Sequence, residues 1–180
     1  MMAKQKHIIW FTGMSGSGKS TLASELEIFY LQKGYSVYIL DGDDVREKDK
    51  EKLGFSSEDV MKNNLRIANL CQKLIAEYYN IILVPVISPY DDVRSTVRSI
   101  LEPNFHLIFL DADLFSLKKR DTKGLYRAAD EGLINDVIGY SDTNQYEVPD
   151  NAELVIKTGY QSILAESKQE LINYIDTCLL

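Results

Sequence analysis

The chain has 180 residues, enough to bury a sizeable core within one domain. At 45% hydrophobic and 26% charged residues it reads as an ordinary soluble globular protein, not a disordered or fibrous one. A net charge of −7 argues against a general nucleic-acid or anionic-membrane binder, because such partners need a net basic surface. Cys71 and Cys178 are too few and too far apart for a disulfide framework or a zinc site. Each is expected as a small buried residue in a reducing compartment. The segment Met1 to Lys6 leads straight into an apolar stretch without the features of a secretory peptide, and no apolar run reaches membrane-spanning length. The cytoplasm is the expected location.

In chain order, short apolar runs alternate with longer helical patterns. Strands are predicted at 7–12, 36–40, 80–87, 105–110 and 153–156, and helices at 18–33, 57–78, 90–101, 113–121 and 160–178. This alternation predicts an α/β fold, a parallel sheet of about five strands with helices on both faces. Gly34 is a helix C-cap candidate, and Pro103-Asn104 marks the start of the fourth strand. Without repeats, linkers or low-complexity tracts, residues 1–180 read as a single domain. Ligands of such sheets gather at the carboxyl ends of the strands, so the segments just after each strand carry the functional expectation.

After the first strand comes Gly13-Met14-Ser15-Gly16-Ser17-Gly18-Lys19-Ser20-Thr21, which fits the phosphate-binding loop pattern G-x-x-x-x-G-K-[ST] between a strand and a helix. Gly13, Gly16 and Gly18 let backbone N–H groups curl around a polyphosphate, with Ser15, Ser17 and Thr21 alongside, and the helix N-terminus favours negative charge. Lys19 would reach the β- and γ-phosphates, and the Ser20 hydroxyl would ligate Mg²⁺. The chain is therefore expected to bind a nucleoside triphosphate.

After the second strand, Asp41-Gly42-Asp43-Asp44-Val45-Arg46 crowds three carboxylates that need a nearby cation. Mg²⁺ held with ATP would supply it, through water if not directly at Asp41 or Asp43. One carboxylate could take a proton from an attacking hydroxyl, and Arg46 could grip a substrate phosphate. The same residues also suit an acidic helix N-terminus. After the third strand, Ser88 reads either as the N-cap of a helix starting at Pro89 or, with Arg94, as part of an acceptor site. After the fourth strand, Lys118-Lys119-Arg120-Asp121-Thr122-Lys123-Gly124 suits a cationic helix end closed by Gly124. In so acidic a protein it is better read as part of a mobile lid, about 118–147, that brings Arg120 and Lys123 onto the triphosphate.

Taken together these segments resemble the adenylyl-sulfate (APS) kinases, small phosphate-loop kinases. The resemblance runs from about Ile8 to Glu153 and is carried by Gly13–Thr21, Leu40-Asp41-Gly42-Asp43, Val45-Arg46, Gly54-Phe55-Ser56, Ile87-Ser88-Pro89-Tyr90, Arg120-Asp121, Lys123-Gly124-Leu125-Tyr126 and Tyr146-Glu147-Val148-Pro149. It implies the P-loop NTPase fold and transfer of the ATP γ-phosphoryl to the 3′-hydroxyl of a nucleotide bearing a 5′-linked sulfate, with Mg²⁺ as cofactor. By position, Asp43 is implied as the base, with Asp41, Lys19 and Ser88 completing the catalytic set. Arg46, Asn63, Phe55 as a stacking ring, Ile87, Ser88, Lys123 and Leu125 are implied around the acceptor. Such kinases are commonly dimers, which leaves a homodimer open here.

Departures from the family pattern fall on the acceptor side. Asp44 stands where an asparagine is usual, Val60 where an arginine is, and Leu65-Arg66 where two arginines are. Val137-Ile138-Gly139-Tyr140-Ser141 replaces a Phe-Thr-Gly-Ile-Asp segment whose phenylalanine walls the base, and about two extra residues lie before Tyr146. Losing a stacking ring and a guanidinium removes roughly 1–3 kcal/mol each for the usual acceptor, unless Tyr140 restores the ring. A relative acting on another nucleotide, such as cytidine diphosphoramidate, fits that pattern as well. A nucleotide-dependent switch is the more distant alternative: the chain has no Asn-Lys-x-Asp signature, and its third strand runs Val84-Pro85-Val86-Ile87 without a terminal aspartate. The scattered tyrosines, Tyr30, Tyr78 and Tyr79 among them, and both His7 and His106 read as structural.

Overall fold

Six consecutive buried residues, His7–Thr12, form the first strand, β1. Such a run without polar alternation is what a strand covered on both faces requires. The computed structural model describes residues 5–48, 53, 54, 56–141 and 144–179. β1 is followed by α1 (Lys19–Gln32), β2 (Val37–Ile39), α2 (Gly42–Lys48), α3 (Ser57–Glu77), β3 (Ile81–Pro85), α4 (Asp91–Leu101), β4 (Phe105–Asp111), α5 (Leu114–Arg120), α6 (Leu125–Asp130), β5 (Leu154–Lys157) and α7 (Leu164–Cys178). The strands make one parallel sheet in the order β2-β3-β1-β4-β5. The α/β expectation therefore holds.

Alternation along the strands divides the core into two layers. Ile8, Trp10, Ile82, Val84 and Leu107 face one side, where Ile67 and Cys71 of α3 and Val93 and Val97 of α4 cover them. Ile9, Phe11, Leu83, Ile108 and Leu110 face the other, covered by Leu22 and Leu26 of α1 and Leu171 and Ile175 of α7. Emptying one such buried site costs about 2–5 kcal/mol. An exposed ion pair such as Lys33–Asp176, at 3.0 Å, contributes at most about 1 kcal/mol. The apolar layers, not surface charge, set the fold.

The boundaries differ from expectation in physically interpretable ways. β3 ends at Pro85, which has no N–H to give, although the Val86 N–H beyond it still donates to the Phe11 carbonyl at 3.2 Å. The last helix starts at Leu164 rather than 160, because Gly159 packs against Asp113: a Cβ there would lie 2.5 Å from Asp113 Oδ2, and Tyr160 N donates to the same carboxylate. Two short helices, α2 and α6, are too brief to show a period; only the start of α2 is anticipated, as the acidic helix N-terminus open to Asp43 and Asp44. Cys71 is buried as expected, whereas Cys178 is exposed on the outer face of α7. Gly34, at φ 78°, closes α1 as expected. Among the described residues, no helix is long and apolar enough to cross a membrane.

At the amino ends of the central strands, His7 Nδ1 and His106 Nε2 lie 3.0 Å apart. His7 Nε2 is 3.2 Å from the Leu179 carbonyl, and His106 Nδ1 is 3.4 Å from the Tyr174 hydroxyl. Burial, and then the neighbouring His7, lower His106 from 6.5 to about 4, with Glu153 opposing and Arg98 adding to the shift. The unfolded chain therefore binds the extra proton first, so stability held above pH 6.5 is lost as the pH falls towards about 4. Thermal unfolding across that window should show a steeper acid decline in the unaltered protein than in His106→Gln; equal slopes would dismiss the pair as its source.

Candidate active site

Where β1 ends, the chain turns through residues 13–18 into α1. Gly13 has φ 143°, and a Cβ on it would sit 2.7 Å from the Leu110 carbonyl oxygen and 2.8 Å from Ser17 Oγ. No side chain fits there. Gly18, at φ 100°, makes the final turn before α1. The first N–H groups of α1, which lack intrahelical acceptors, follow directly. Lys19 is 9% exposed, and its ammonium donates to the carbonyls of Gly13 and Met14, both at 2.8 Å. Burial, then the Lys123 ammonium, pull its pKa down to about 7, against the opposite pull of Asp43 and Asp41.

The acidic segment after β2 opens α2, so both readings of it, charged site and helix N-terminus, describe the same residues. Asp41 Oδ1 accepts from the Asp43 N–H at 2.8 Å, which fixes the turn. The Asp43 carboxylate is exposed and paired with Lys123 Nζ at 2.5 Å. Arg46 donates to the Gly54 carbonyl. Asn63, on α3, points Nδ2 at the Gly42 carbonyl (3.5 Å), and its buried Oδ1 has no partner among the described residues.

After β3 the structure corrects the expected helix start. Tyr90, not Ser88, is the N-cap of α4. Ser88 is fully buried at φ 45°, and its Oγ has no partner among the described residues. Arg94 does not face the acceptor side either. It is 2% exposed and lies behind the Ser88 turn.

The basic cluster after β4 divides between α5 and the segment beyond it. α5 stops at Arg120, so Gly124 does not close it but precedes α6, at φ 67°. Arg120 bridges two loops, donating to the Gly16 carbonyl at 3.2 Å and to the carbonyls of Thr158 and Gly159. Tyr126 of α6 is buried and donates to the Ser15 carbonyl at 2.8 Å, tying the 118–147 segment to the phosphate loop. Leu117, Tyr126 and Val137 form a small apolar cluster with Met14 packed on it. Tyr140 lies edge-on to Tyr126 at 5.6 Å, with its hydroxyl bound to Asp130 and Lys118.

These elements enclose one cavity of about 790 Å³. Its wall brings together Ser15 to Thr21, Asp41, Asp43, Arg46, Asn63, Ile87, Ser88, Arg120, Lys123 and Leu125 from the expected set. Gly13 lies behind the wall, and Phe55 lies outside the described residues. Neither Val137 nor Tyr140 lines the cavity; Ile138 does, so the replacement ring expected of Tyr140 is committed elsewhere. Val60 and Asn64 also line it, beside Asn63 on one face of α3, as do Thr158 and Ser162 after β5 and Ser167 near the start of α7. The rule that ligands sit at strand carboxyl ends points to Thr158. The α3 residues carry a weaker signal, three and four residues apart on one helical face.

Among the described residues, no three His, Cys, Asp or Glu side chains converge as a self-sufficient metal site. The Ser20 hydroxyl and the carboxylates of Asp41 and Asp43 are hard oxygen donors on the wall of the same cavity. One or two carboxylates completed by substrate phosphates is the environment Mg²⁺ favours.

The sequence pattern of the adenylylsulphate kinase family matches residues 5–157. An adenylyl-sulfate kinase of Clostridium kluyveri is 42% identical over 168 residues, covering 93% of this chain and 80% of its own. One from Emericella nidulans is 40% identical over 186 residues, covering 98% of this chain and 88% of its own. The structure of the Mycobacterium tuberculosis APS kinase CysC, in complex with AMPPNP and APS, superposes with a TM-score of 0.85 at 33% identity, covering 97% of this chain and all of that one. With the phosphate loop, the Asp41–Asp43 turn, the Ile87–Ser88 turn and the Lys123–Tyr126 segment around one cavity, this chain belongs to the adenylylsulphate kinase family.

Proposed function

We propose that this protein transfers the γ-phosphoryl group of ATP to the 3′-hydroxyl of adenylyl sulfate, giving 3′-phosphoadenylyl sulfate for sulfate assimilation. The observation that carries this reading is the continuity of the cavity. It runs from the phosphate loop, past the Asp41–Asp43 turn, to an acceptor side walled by Arg46, Val60, Asn63, Ile87 and Ser88. A donor triphosphate and an acceptor hydroxyl can therefore meet without crossing bulk water, which is most of what phosphoryl transfer asks of a protein.

In this reading the loop N–H groups and Lys19 cradle the β- and γ-phosphates. Asp43 accepts the proton of the 3′-hydroxyl as its oxygen bonds to the γ-phosphorus and the bond to the β–γ bridging oxygen breaks, releasing ADP. Lys123 holds the Asp43 carboxylate within reach, then passes to the transferring group as the lid segment settles. Arg120, anchored across Gly16 and Thr158, fixes the two loops that flank the donor. Ser20 with Asp41 or Asp43 would hold Mg²⁺, which supplies charge neutralisation on the phosphate oxygens. A cytoplasmic setting, where ATP is made available, goes with this reading.

Val60 and Ile138 present aliphatic surface on the acceptor side and favour a second reading, a different 5′-modified nucleotide such as cytidine diphosphoramidate. ADP release with Mg²⁺-ATP against adenylyl sulfate, cytidine diphosphoramidate and no acceptor decides between them. Turnover of adenylyl sulfate is expected. Turnover of the cytidine compound alone would transfer the assignment to it, and acceptor-independent hydrolysis alone would sink both. Asp43→Asn should lower turnover about 10²–10⁴-fold while ATP-analogue affinity stays within a few-fold. Near-normal turnover in that variant would remove Asp43 from the role of base.

Lys19 supplies a further test. With its pKa pulled to about 7, much of the free protein lacks this charge above neutrality, and a bound triphosphate restores it. Binding of an ATP analogue above pH 7 should therefore take up a proton, measured as a dependence of the calorimetric heat on the buffer's ionisation enthalpy. The same heat in every buffer would contradict it.

A further inference from the structure

Among the described residues, Ser88 is the one non-glycine residue in the left-handed φ range, at 45°. It also precedes Pro89, and a following proline by itself drives a residue to extended backbone with negative φ. A strained conformation of this kind persists only where its surroundings hold it.

The hydrogen bonds behind it show what does so. The Thr12 hydroxyl lies 2.5 Å from the Ile87 carbonyl oxygen, 3.2 Å from that of Ser88 and 2.8 Å from the Tyr146 hydroxyl. A threonine hydroxyl has a single proton. It goes to the nearer Ile87 carbonyl, and Tyr146 donates to Thr12. The Ser88 carbonyl is then left to Arg94, whose NH1 donates to it at 2.9 Å. Arg94 is buried to 2% exposure, lies 5.9 Å from the Tyr146 ring centroid, and has one carboxylate partner, Asp91, at 3.1 Å and half exposed. One partly hydrated carboxylate offsets little of the cost of burying a guanidinium. Packing alone therefore does not account for an arginine here.

We propose that Arg94 is a positioning residue: through the Ser88 carbonyl it holds the Ser88–Pro89 peptide, and so keeps Ser88 in the left-handed turn on the acceptor side of the cavity. This rests on the reading of the protein as a kinase of a nucleotide acceptor. Ser88 and Ile87 line the cavity and Arg94 does not, so Arg94 acts only through the turn. Without the guanidinium the Ser88 carbonyl loses its donor, and the peptide relaxes towards negative φ and moves Ser88 from its place on the cavity wall. The phosphate loop meets this turn at the Gly13 N–H, 3.5 Å from the Ile87 carbonyl, while its bonds to Lys19 and Tyr126 lie away from the turn. The defect belongs to the acceptor and not to ATP.

Steady-state kinetics on adenylyl sulfate, together with equilibrium binding of an ATP analogue, test this in Arg94→Gln and Arg94→Lys. Arg94→Gln should lower kcat/KM for the acceptor about 10–100-fold, the scale of a misplacement near 1 Å, with ATP-analogue affinity changed less than about 3-fold. Arg94→Lys, which keeps a donor and the buried charge, should recover part of the loss, and it alone is compared with the unaltered protein if Arg94→Gln does not fold. Equal losses for acceptor and ATP, or no acceptor loss in a folded variant, would overturn the positioning role. Silence of the unaltered protein on adenylyl sulfate would instead strike the functional reading on which it rests.

Discussion

Pairing of β1 on both edges, with β3 and with β4 in parallel register, is the constraint from which the rest of the molecule follows. A strand paired on both sides and buried on both faces has nowhere to send polar groups except its ends. Parallel pairing puts the ends of β1, β2, β3 and β4 at one rim, so the phosphate loop, the Asp41–Asp43 turn, the Ile87–Ser88 turn and the lid segment share one cavity. The closeness of the neighbours is also what makes Gly13 obligatory, because the Leu110 carbonyl of β4 occupies the space a side chain would need.

Electrostatics at that rim work against the overall charge. In a chain of net charge −7, Lys19, Arg46, Arg120 and Lys123 converge on one cavity with Asp41 and Asp43 among them. Two like charges about 4 Å apart cost on the order of 4 kcal/mol at an effective dielectric of 20, so the arrangement needs its carboxylates. The Lys123–Asp43 pair is the visible compensation. Its exposure keeps the pair weak enough to exchange one partner for a phosphate, which a buried pair would resist.

The lid segment is held differently. Tyr126 and the Leu117–Val137 cluster attach it to Ser15 and Met14 of the phosphate loop. The acceptor side instead leans on α3 and on the turn behind Ser88, elements belonging to the opposite layer of the core. The phosphate loop and the Ser88 turn therefore lean on different layers of the core, joined where the Gly13 N–H meets the Ile87 carbonyl.

What the sequence determined by itself was whatever depends on local periodicity or local steric demand. The long apolar and amphipathic runs specify five strands and five of the helices, and the glycine spacing around Lys19 specifies a phosphate loop. The ordered segments from Asp41 to Tyr126 identify the family. What only the tertiary structure decided was whatever depends on residues far apart in the chain. That Ser88 takes a left-handed turn rather than a helix cap follows from Thr12 on the Ile87 carbonyl, Arg94 on the Ser88 carbonyl and Tyr146 on Thr12, which no spacing reveals. That Tyr140 serves Asp130 and Lys118 while Ile138 faces the cavity follows from how the lid folds on Met14. Periodicity records which face of an element is buried; it does not record which atoms meet across the chain, and the chemistry of the acceptor side is decided there.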